Sequence, residues 1–300
     1  MPLVAALGVS LLTGGCASSL ALGSDGRIVA VGAESQYADV IRQVGGKYVQ
    51  ASAIMSSPNS DPHTFEASAA TGRLVNASRL VVQNGLGYDA FMDTLENAVP
   101  DSGRHVIVVQ KLLGLPDSTP NPHLWYDPAT MPRVAAAVAE SLAAIQPGHT
   151  AYFKANAKAF TKSLSAWIDA IGTFKQHYPG TPVATTEPVA GYLLRALGAG
   201  NRTPWAFQAD VMNGTDPSAQ DVAAERSLFT NHEVTVFLYN QQVTDSLTES
   251  FIALARANHI PVVGVYETMP EPGYRYQSWM LAEVRALRAA VADHISSEHP

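Results

Sequence analysis

Short runs of β-branched and apolar residues alternate along the chain with longer stretches in which apolar residues recur every three or four positions. The first pattern is typical of buried strands and the second of amphipathic helices. The strand-like runs are Ile28–Val31, Tyr48–Ile54, Arg79–Gln83, His105–Gln110, Pro182–Thr186, Val234–Tyr239 and Pro261–Val265. Because strands that alternate with helices usually form parallel sheets with helices on both faces, the pattern predicts an α/β fold in both halves of the chain.

The longest helical pattern covers residues 150–177, where one apolar face is maintained throughout by Phe153, Ala157, Phe160, Leu164, Trp167, Ile171 and Phe174. A helix of this length spans roughly 40 Å, about the width of a domain. We therefore expect two Rossmann-like lobes with parallel sheets, residues 27–147 and 179–300, joined by one long rigid helix over residues 148–178. The alternative is that this segment is one more helix packed on a sheet.

Two of the predicted strands end in the same way. Residues 80–84 and 236–240 are both apolar runs that end in asparagine and are followed by a helix and another strand. This repetition suggests that the two lobes are related, although asparagine is also favoured wherever a strand turns.

Composition limits the function. The chain has 300 residues, of which 47% are hydrophobic and 15% charged, and this is enough apolar material for ordinary globular cores. Its net charge of -7 opposes a phosphate backbone, so nucleic acid is excluded as an expected partner. A single cysteine can form neither an internal disulfide nor a multi-thiolate metal site. Any bound metal must be held by nitrogen and oxygen.

Residues 1–26 have the layout of a targeting segment. No charged residue occurs between Pro2 and Gly23, and a short apolar run is followed by glycines and Cys16. This resembles the lipobox of bacterial lipoproteins, which implies acylation of Cys16 and a tether to the membrane. No Lys or Arg precedes the apolar run, so we expect the natural start to lie further upstream. An uncleaved anchor helix and an ordinary free cysteine are the alternatives.

Two segments present a histidine directly after a proline. They are Asp61-Pro62-His63-Thr64-Phe65-Glu66 and Asn121-Pro122-His123-Leu124-Trp125. Proline fixes φ at its own position, so the loop that leads into each imidazole is stiff and loses little entropy when a ligand binds. Each histidine also follows a predicted strand, although an isolated loop histidine is more often a solvated or hydrogen-bonded residue than a metal ligand.

Two carboxylates occur in the same context. Glu187 follows the strand Pro182–Thr186, in what is predicted to be the first turn of a helix over Val189–Leu197, and Glu267 follows the run Pro261–Tyr266 in the same way. Ligands of open α/β sheets collect beyond the carboxyl ends of the strands, so two donors from each half can converge in one crevice. Two neutral imidazoles and two carboxylates suit Zn²⁺, Mn²⁺ or Fe²⁺, and their negative charges cancel those of the ion.

These residues together resemble the metal-binding solute receptors of bacterial zinc and manganese ABC transporters, the cluster A-I lipoproteins. The resemblance covers nearly the whole mature chain. It rests on both Pro-His segments and on Val44-Gly45-Gly46, Asn84-Gly85-Leu86-Gly87, Thr186-Glu187 with Gly191-Tyr192, and Val262-Val263-Gly264-Val265-Tyr266-Glu267. It implies two α/β lobes joined by a long helix, with one divalent metal held between them.

The resemblance also implies the ligands, which are His63, His123, Glu187 and Glu267. Glutamate at the third position is more typical of the manganese-type relatives, and at the fourth position Glu267 stands where many relatives have aspartate. The histidine-rich loop of many zinc-type members is absent, because residues 112–122 contain no histidine. The metal is therefore expected to be zinc or manganese, with iron possible.

Neighbouring residues are candidates for supporting the ligands. Asn84, Asn121 and Asn240 can orient imidazoles or carboxylates, since a ligating histidine normally donates its other N–H to an acceptor. Each is equally explained as a turn residue. Glu66 is either a further ligand or, as we favour, the cap of a helix that begins near Ser68.

The function expected from the resemblance is that of an extracytoplasmic receptor, not an enzyme. Such a receptor, lipid-anchored at the cell surface or in the periplasm and monomeric, delivers its metal to a membrane permease powered by an ATPase. A hydrolase-like metalloenzyme that uses the same residues is the first alternative, although no known catalytic signature is present. An adhesin with a structural metal is the second.

Overall fold

A computed structural model describes residues 25–57, 65–270 and 273–299. The candidate ligand His63 and the candidate lipidation site Cys16 lie outside the described residues, as does most of the predicted targeting segment. Within the described ranges the chain forms two α/β lobes with parallel sheets, which confirms the expected fold class.

The first lobe contains a four-stranded parallel sheet in the order β2-β1-β3-β4. Its elements are β1 (Ile28–Glu34), α1 (Ser35–Gly45), β2 (Val49–Met55), α2 (Ala69–Ala77), β3 (Leu80–Gln83), α3 (Phe91–Ala98), β4 (His105–Val108), α4 (Val109–Leu113) and α5 (Thr130–Ile145). Strand β3 is buried over its whole length, as expected for a continuous apolar run covered on both faces.

The second lobe repeats this arrangement with the order β6-β5-β7-β8. Its elements are β5 (Pro182–Thr185), α8 (Gly191–Leu197), β6 (Gly200–Asn201), α9 (Trp205–Met212), α10 (Ala219–Thr230), β7 (Val236–Asn240), α11 (Ser246–Ala257), β8 (Val262–Val265) and α12 (Tyr276–Asp293). Strand β6 was not predicted, because two residues without a β-branched side chain carry no periodic signal. Strand β3, which Asn84 follows directly, and strand β7, whose last residue is Asn240, occupy equivalent places in the two sheets.

The connection between the sheets is two helices, α6 (Thr150–Ser163) and α7 (Ser165–His177), where the pattern predicted one. The interruption is at Leu164, whose N–H bonds Thr161 O three residues back. The cause is local. The hydroxyls of Thr161 and Ser163 donate to the carbonyl oxygens of Ala157 and Phe160 at 3.1 and 2.7 Å, and such side-chain bonds compete with the helical ladder. Helical bonding resumes at once, with Ile168 N donating to Leu164 O at 3.0 Å.

The C-terminal tail adds to the edge of the second sheet. Ser297 pairs in parallel with Val263, and its N–H and C=O bond Val262 O and Gly264 N, both at 2.9 Å. The next residue, Glu298, also contacts β7, since its carboxylate accepts a hydrogen bond from Tyr239 Oη at 3.0 Å. A Cβ on Gly264 would collide with Glu298 O, so glycine at this position is required for the tail to lie against β8.

Glu225 is a fully buried carboxyl group in the second lobe. Its Oε1 accepts a hydrogen bond from Thr203 Oγ1 at 3.1 Å, and its Oε2 has no partner within the described residues. Burial raises the pKa of Glu225 to about 8, with the Thr203 hydrogen bond opposing the rise. The folded protein therefore holds this proton up to a much higher pH than the unfolded chain does.

We predict that Glu225 makes folding sensitive to pH. Because its folded pKa of about 8 exceeds the ordinary value of 4.5, the free energy of unfolding must fall as pH rises through this window. The change Glu225→Gln removes this dependence, so the variant should gain on the order of 3 kcal/mol relative to wild type between pH 5 and pH 8. Urea unfolding at both pH values measures the gain.

The matched control is Glu233→Gln, which alters an exposed glutamate shortly after the same helix. Its free energy of unfolding should follow that of wild type at both pH values. If the free energy of unfolding of Glu225→Gln also followed that of wild type at both pH values, the buried carboxyl would not be protonated in the folded state.

Candidate metal site

The candidate site lies where the carboxyl ends of the two sheets face one another. Asn240 is the last residue of β7, Glu187 and Glu267 follow β5 and β8 by two residues each, and His123 follows the loop after α4. All four side chains are buried, with at most 2% of their surface exposed. The helix after Glu187 begins at Gly191 and not at Val189, because Pro188–Gly191 first forms a turn closed by Gly191 N donating to Pro188 O at 2.9 Å. Glu187 therefore lies in a loop and not in a helical turn.

One direct contact joins donors that the sequence predicts in different lobes. His123 Nε2 lies 3.1 Å from Glu267 Oε2, and both residues are fully buried. Ligands at about 2.0–2.1 Å from a tetrahedral zinc ion are about 3.3 Å from each other, so the two atoms are already at the spacing of two ligands of one ion.

The Asn240 side chain bridges the two carboxylates. Its Nδ2 donates to Glu187 Oε1 at 3.1 Å and to Glu267 Oε1 at 2.6 Å. Its Oδ1 accepts from Gln242 N at 3.0 Å, which fixes the orientation of the amide. The neutral side chain of Asn240 therefore holds the two acidic groups beside each other, and a bound metal ion would not have to overcome their repulsion alone.

Asn121 determines which nitrogen of His123 is available. Asn121 Nδ2 donates to Pro188 O at 2.8 Å, so the amide oxygen must face the histidine. That oxygen accepts from His123 N at 3.0 Å and lies 2.7 Å from His123 Nδ1. Nδ1 therefore carries the proton, and Nε2 is left as the atom that can bind a metal.

Asn84 acts on the loop rather than on a donor. Its Nδ2 donates to Pro122 O at 2.9 Å, directly before His123, and its Oδ1 accepts from Tyr37 Oη at 2.6 Å. Asn84 thus anchors the proline that presents the imidazole. Its place at the end of β3 corresponds to that of Asn240 at the end of β7.

Two glutamines, neither of them predicted from the sequence, hold the backbone of Glu267. Gln242 Oε1 accepts from the N–H groups of Glu267 and Thr268 at 2.7 and 2.9 Å. From the other lobe, Gln36 Nε2 donates to Glu267 O at 3.0 Å. No sequence signal distinguishes these glutamines, because their partners are backbone atoms distant along the chain.

Glu66 does not cap the following helix. The helix begins at Ala69, and its cap is a reciprocal pair in which Ser68 Oγ accepts from Thr71 N at 3.2 Å and Thr71 Oγ1 accepts from Ser68 N at 2.8 Å. Ser and Thr supply both hydrogen bonds at the correct spacing, so the exposed Glu66 is not needed there.

The electrostatic environment of the site is negative. Burial, then the carboxylates of Glu267 and Glu34, raise the pKa of the Tyr88 phenol well above its usual value. The Tyr88 ring lies against the imidazole of His123, with ring centroids 5.8 Å apart. Such a field favours a cation over any anionic ligand.

The described residues include only three of the four predicted metal ligands. They contain no group of three or more His, Cys, Asp or Glu side chains arranged to hold an ion. His123, Glu187 and Glu267 are nevertheless linked through direct contact and through Asn240, while His63 lies outside the described ranges. The nitrogen and oxygen donors that are present fit a divalent transition metal as cargo.

The family model described as "Zinc-uptake complex component A periplasmic" matches residues 31–290. The chain belongs to this family. The zinc-binding protein TroA of Treponema pallidum is 24% identical over 236 residues, which cover 76% of this chain and 72% of TroA. The manganese-binding lipoprotein MntA of Bacillus subtilis is 24% identical over 159 residues, about half of each chain (51% and 52%).

Solved structures agree with the family in fold. The periplasmic zinc-binding protein TroA from Treponema pallidum superimposes with a TM-score of 0.75 at 20% identity, covering 89% of this chain and all (100%) of TroA. A crystal structure of ZnuA gives a TM-score of 0.71 at 19% identity, with the same coverage of 89% and 100%. At these identities the likeness concerns the two-lobed α/β fold.

We predict that Asn240 is required for tight metal binding. The change Asn240→Ala removes the amide that bridges Glu187 and Glu267, so their repulsion should separate them and lower the affinity for Zn²⁺ about 10- to 100-fold. Calorimetric titration measures the change. Asn231→Ala, which removes an exposed amide from a surface contact with Glu233, should bind zinc as wild type does. Equal affinities for the two variants would contradict a supporting role for Asn240.

Proposed function

We propose that the protein is an extracytoplasmic receptor that captures a divalent transition metal, zinc or manganese, between its two lobes and delivers it to an ABC permease. The ligands are His63, His123, Glu187 and Glu267, with Asn84, Asn121 and Asn240 supporting them. Membership of the component A family supports this role, as do relatives whose names specify zinc or manganese binding.

One observation carries the proposal, and it is the buried contact between His123 and Glu267. The two donor atoms are 3.1 Å apart, and neither side chain is exposed to solvent. An ion bound between them has no open path to water, so it is protected until the lobes separate. Capture and release, rather than chemical conversion, are what such a closed site performs.

The donor set leaves more than one cargo metal possible. Imidazole and carboxylate accept Zn²⁺, Mn²⁺ and Fe²⁺, and affinity in vitro follows the Irving–Williams order, which places zinc above manganese. The physiological cargo therefore depends on which metal the compartment supplies and on the coordination number that the site offers.

Binding without catalysis fits the surroundings of the site better than a hydrolase does. A catalytic zinc ion needs an open coordination position and a nearby base. Asp127, the carboxylate nearest to His123 in the sequence, instead accepts from Arg195 Nη2 at 3.1 Å and caps the following turn through Ala129 N at 2.9 Å. It is therefore occupied away from the buried donors.

The location that we propose follows from the N-terminal segment. Acylation of Cys16 would tether the receptor, as a monomer, to the membrane beside its permease and ATPase. In the described part of the chain, none of the helices combines the length and the apolar composition needed to cross a bilayer.

We expect His123→Ala to abolish tight metal binding while the lobes remain folded. Loss of Nε2 removes one ligand and also the partner of Glu267, so the rise in melting temperature that Zn²⁺ or Mn²⁺ produces should nearly disappear. Differential scanning calorimetry with and without metal measures this rise. His177→Ala, an exposed histidine on α7, should keep the full rise. An undiminished rise in His123→Ala would remove this residue from the site.

We expect Cys16 to carry the lipid anchor. Cells that express the wild-type protein should incorporate labelled palmitate into it, whereas Cys16→Ser should remain unlabelled and appear in the soluble extracytoplasmic fraction. Since Cys16 is the only cysteine in the sequence, no other thiol can replace it. Labelling of the serine variant, or a soluble wild-type protein, would contradict the anchor.

A further inference from the structure

Glu34, the last residue of β1, has a fully buried carboxyl group and is not one of the four proposed metal ligands. Neither of its carboxyl oxygens has a hydrogen-bond partner among the residues that the structure describes. A buried polar group without a partner costs folding free energy, on the order of 1–3 kcal/mol for each unsatisfied group. A protein retains such a group where the group has a partner in another state.

The repeated sheet topology relates Glu34 to Glu187. In the first sheet Gly32 pairs with Val82, and in the second Thr185 pairs with Leu238. Two residues further along these strands, Glu34 comes level with Asn84, and Glu187 comes level with Asn240. Each lobe therefore places a glutamate beside an asparagine at the end of the same pair of strands, in the same register.

The residues that follow Glu34 are attached to the loop that carries Glu267. Ser35 Oγ accepts from Met269 N at 2.9 Å, and Gln36 Nε2 donates to Glu267 O at 3.0 Å. Burial, and after it the nearby charges of Asp89 and Glu267, raise the pKa of the Glu34 carboxyl well above the ordinary value. The end of β1 and the Glu267 loop thus enclose one region of negative potential.

We propose that Glu34 faces the bound metal as the first-lobe counterpart of Glu187, and that it adds an oxygen donor which favours Mn²⁺ over Zn²⁺. This inference rests on the proposed function. Zinc is satisfied by four ligands in a tetrahedron, whereas manganese prefers oxygen donors and higher coordination numbers. A carboxyl oxygen beyond the four proposed ligands therefore benefits manganese more than zinc.

The test compares Glu34→Gln and Glu34→Leu with Glu225→Gln. Glutamine keeps the shape of the side chain and removes its charge, and leucine removes the oxygen donors altogether. Glu225 is the matched control, because it is equally buried, also has an oxygen without a partner among the described residues, and is hydrogen-bonded to Thr203 rather than to any proposed ligand. Competition calorimetry gives the ratio of Mn²⁺ to Zn²⁺ dissociation constants, and Co²⁺ absorption reports the coordination number independently of affinity.

In Glu34→Leu the ratio of the Mn²⁺ to the Zn²⁺ dissociation constant should rise about 10-fold or more, with a smaller rise in Glu34→Gln. The visible absorption of bound Co²⁺ should become more intense in both variants, as expected when coordination falls toward four. Glu225→Gln should keep the wild-type ratio and spectrum. Glu34 variants that keep both would overturn the inference, and so would an equal shift in Glu225→Gln.

The failure of this inference is distinguishable from failure of the proposed function. If wild type and Glu225→Gln bind neither Zn²⁺ nor Mn²⁺ tightly, the receptor function itself is wrong. If they bind both metals and the Glu34 variants match them, only the role of Glu34 is wrong.

Discussion

Burial of negative charge between two lobes is the constraint on which the rest of this structure depends. Glu187 and Glu267 have almost no contact with solvent, and one neutral amide, that of Asn240, lies between them. Charges removed from water need a compensating partner. The hydrogen bonds from Asn240 Nδ2 supply part of that compensation, and a dication between His123 Nε2 and Glu267 Oε2 would supply the rest.

Amide side chains organise this charge. Asn121 sets the tautomer of the imidazole, Asn240 spaces the carboxylates, and Asn84 anchors the proline before the imidazole. An amide offers both a donor and an acceptor and carries no charge, so it can order charged groups without neutralising them. The negative charge of the carboxylates is thereby preserved, which it would not be if lysine or arginine held them.

Much of this architecture can be predicted from the pattern of apolar residues along the sequence. Parallel strands that are buried on both faces have continuous apolar sequences, and they place their carboxyl ends at one edge of the sheet. Strand positions other than that of β6, and the convergence of His123 with Glu267, were accessible in this way. The break at Leu164 was not, since it arises from hydroxyl groups that bond carbonyl oxygens within one helical turn. Gln36 and Gln242 were not either, because their partners are brought near only by the complete fold.

The tail that lies along β8 makes the end of the chain part of the second sheet. Ser297 is hydrogen-bonded on both sides to the strand that leads into Glu267, and Tyr266, the residue before that glutamate, has its hydroxyl 2.8 Å from His299 Nδ1. A segment fused after these residues for purification or display would therefore disturb the strand that positions a proposed ligand. Affinities measured on such a fusion would reflect the fused segment as well as the receptor.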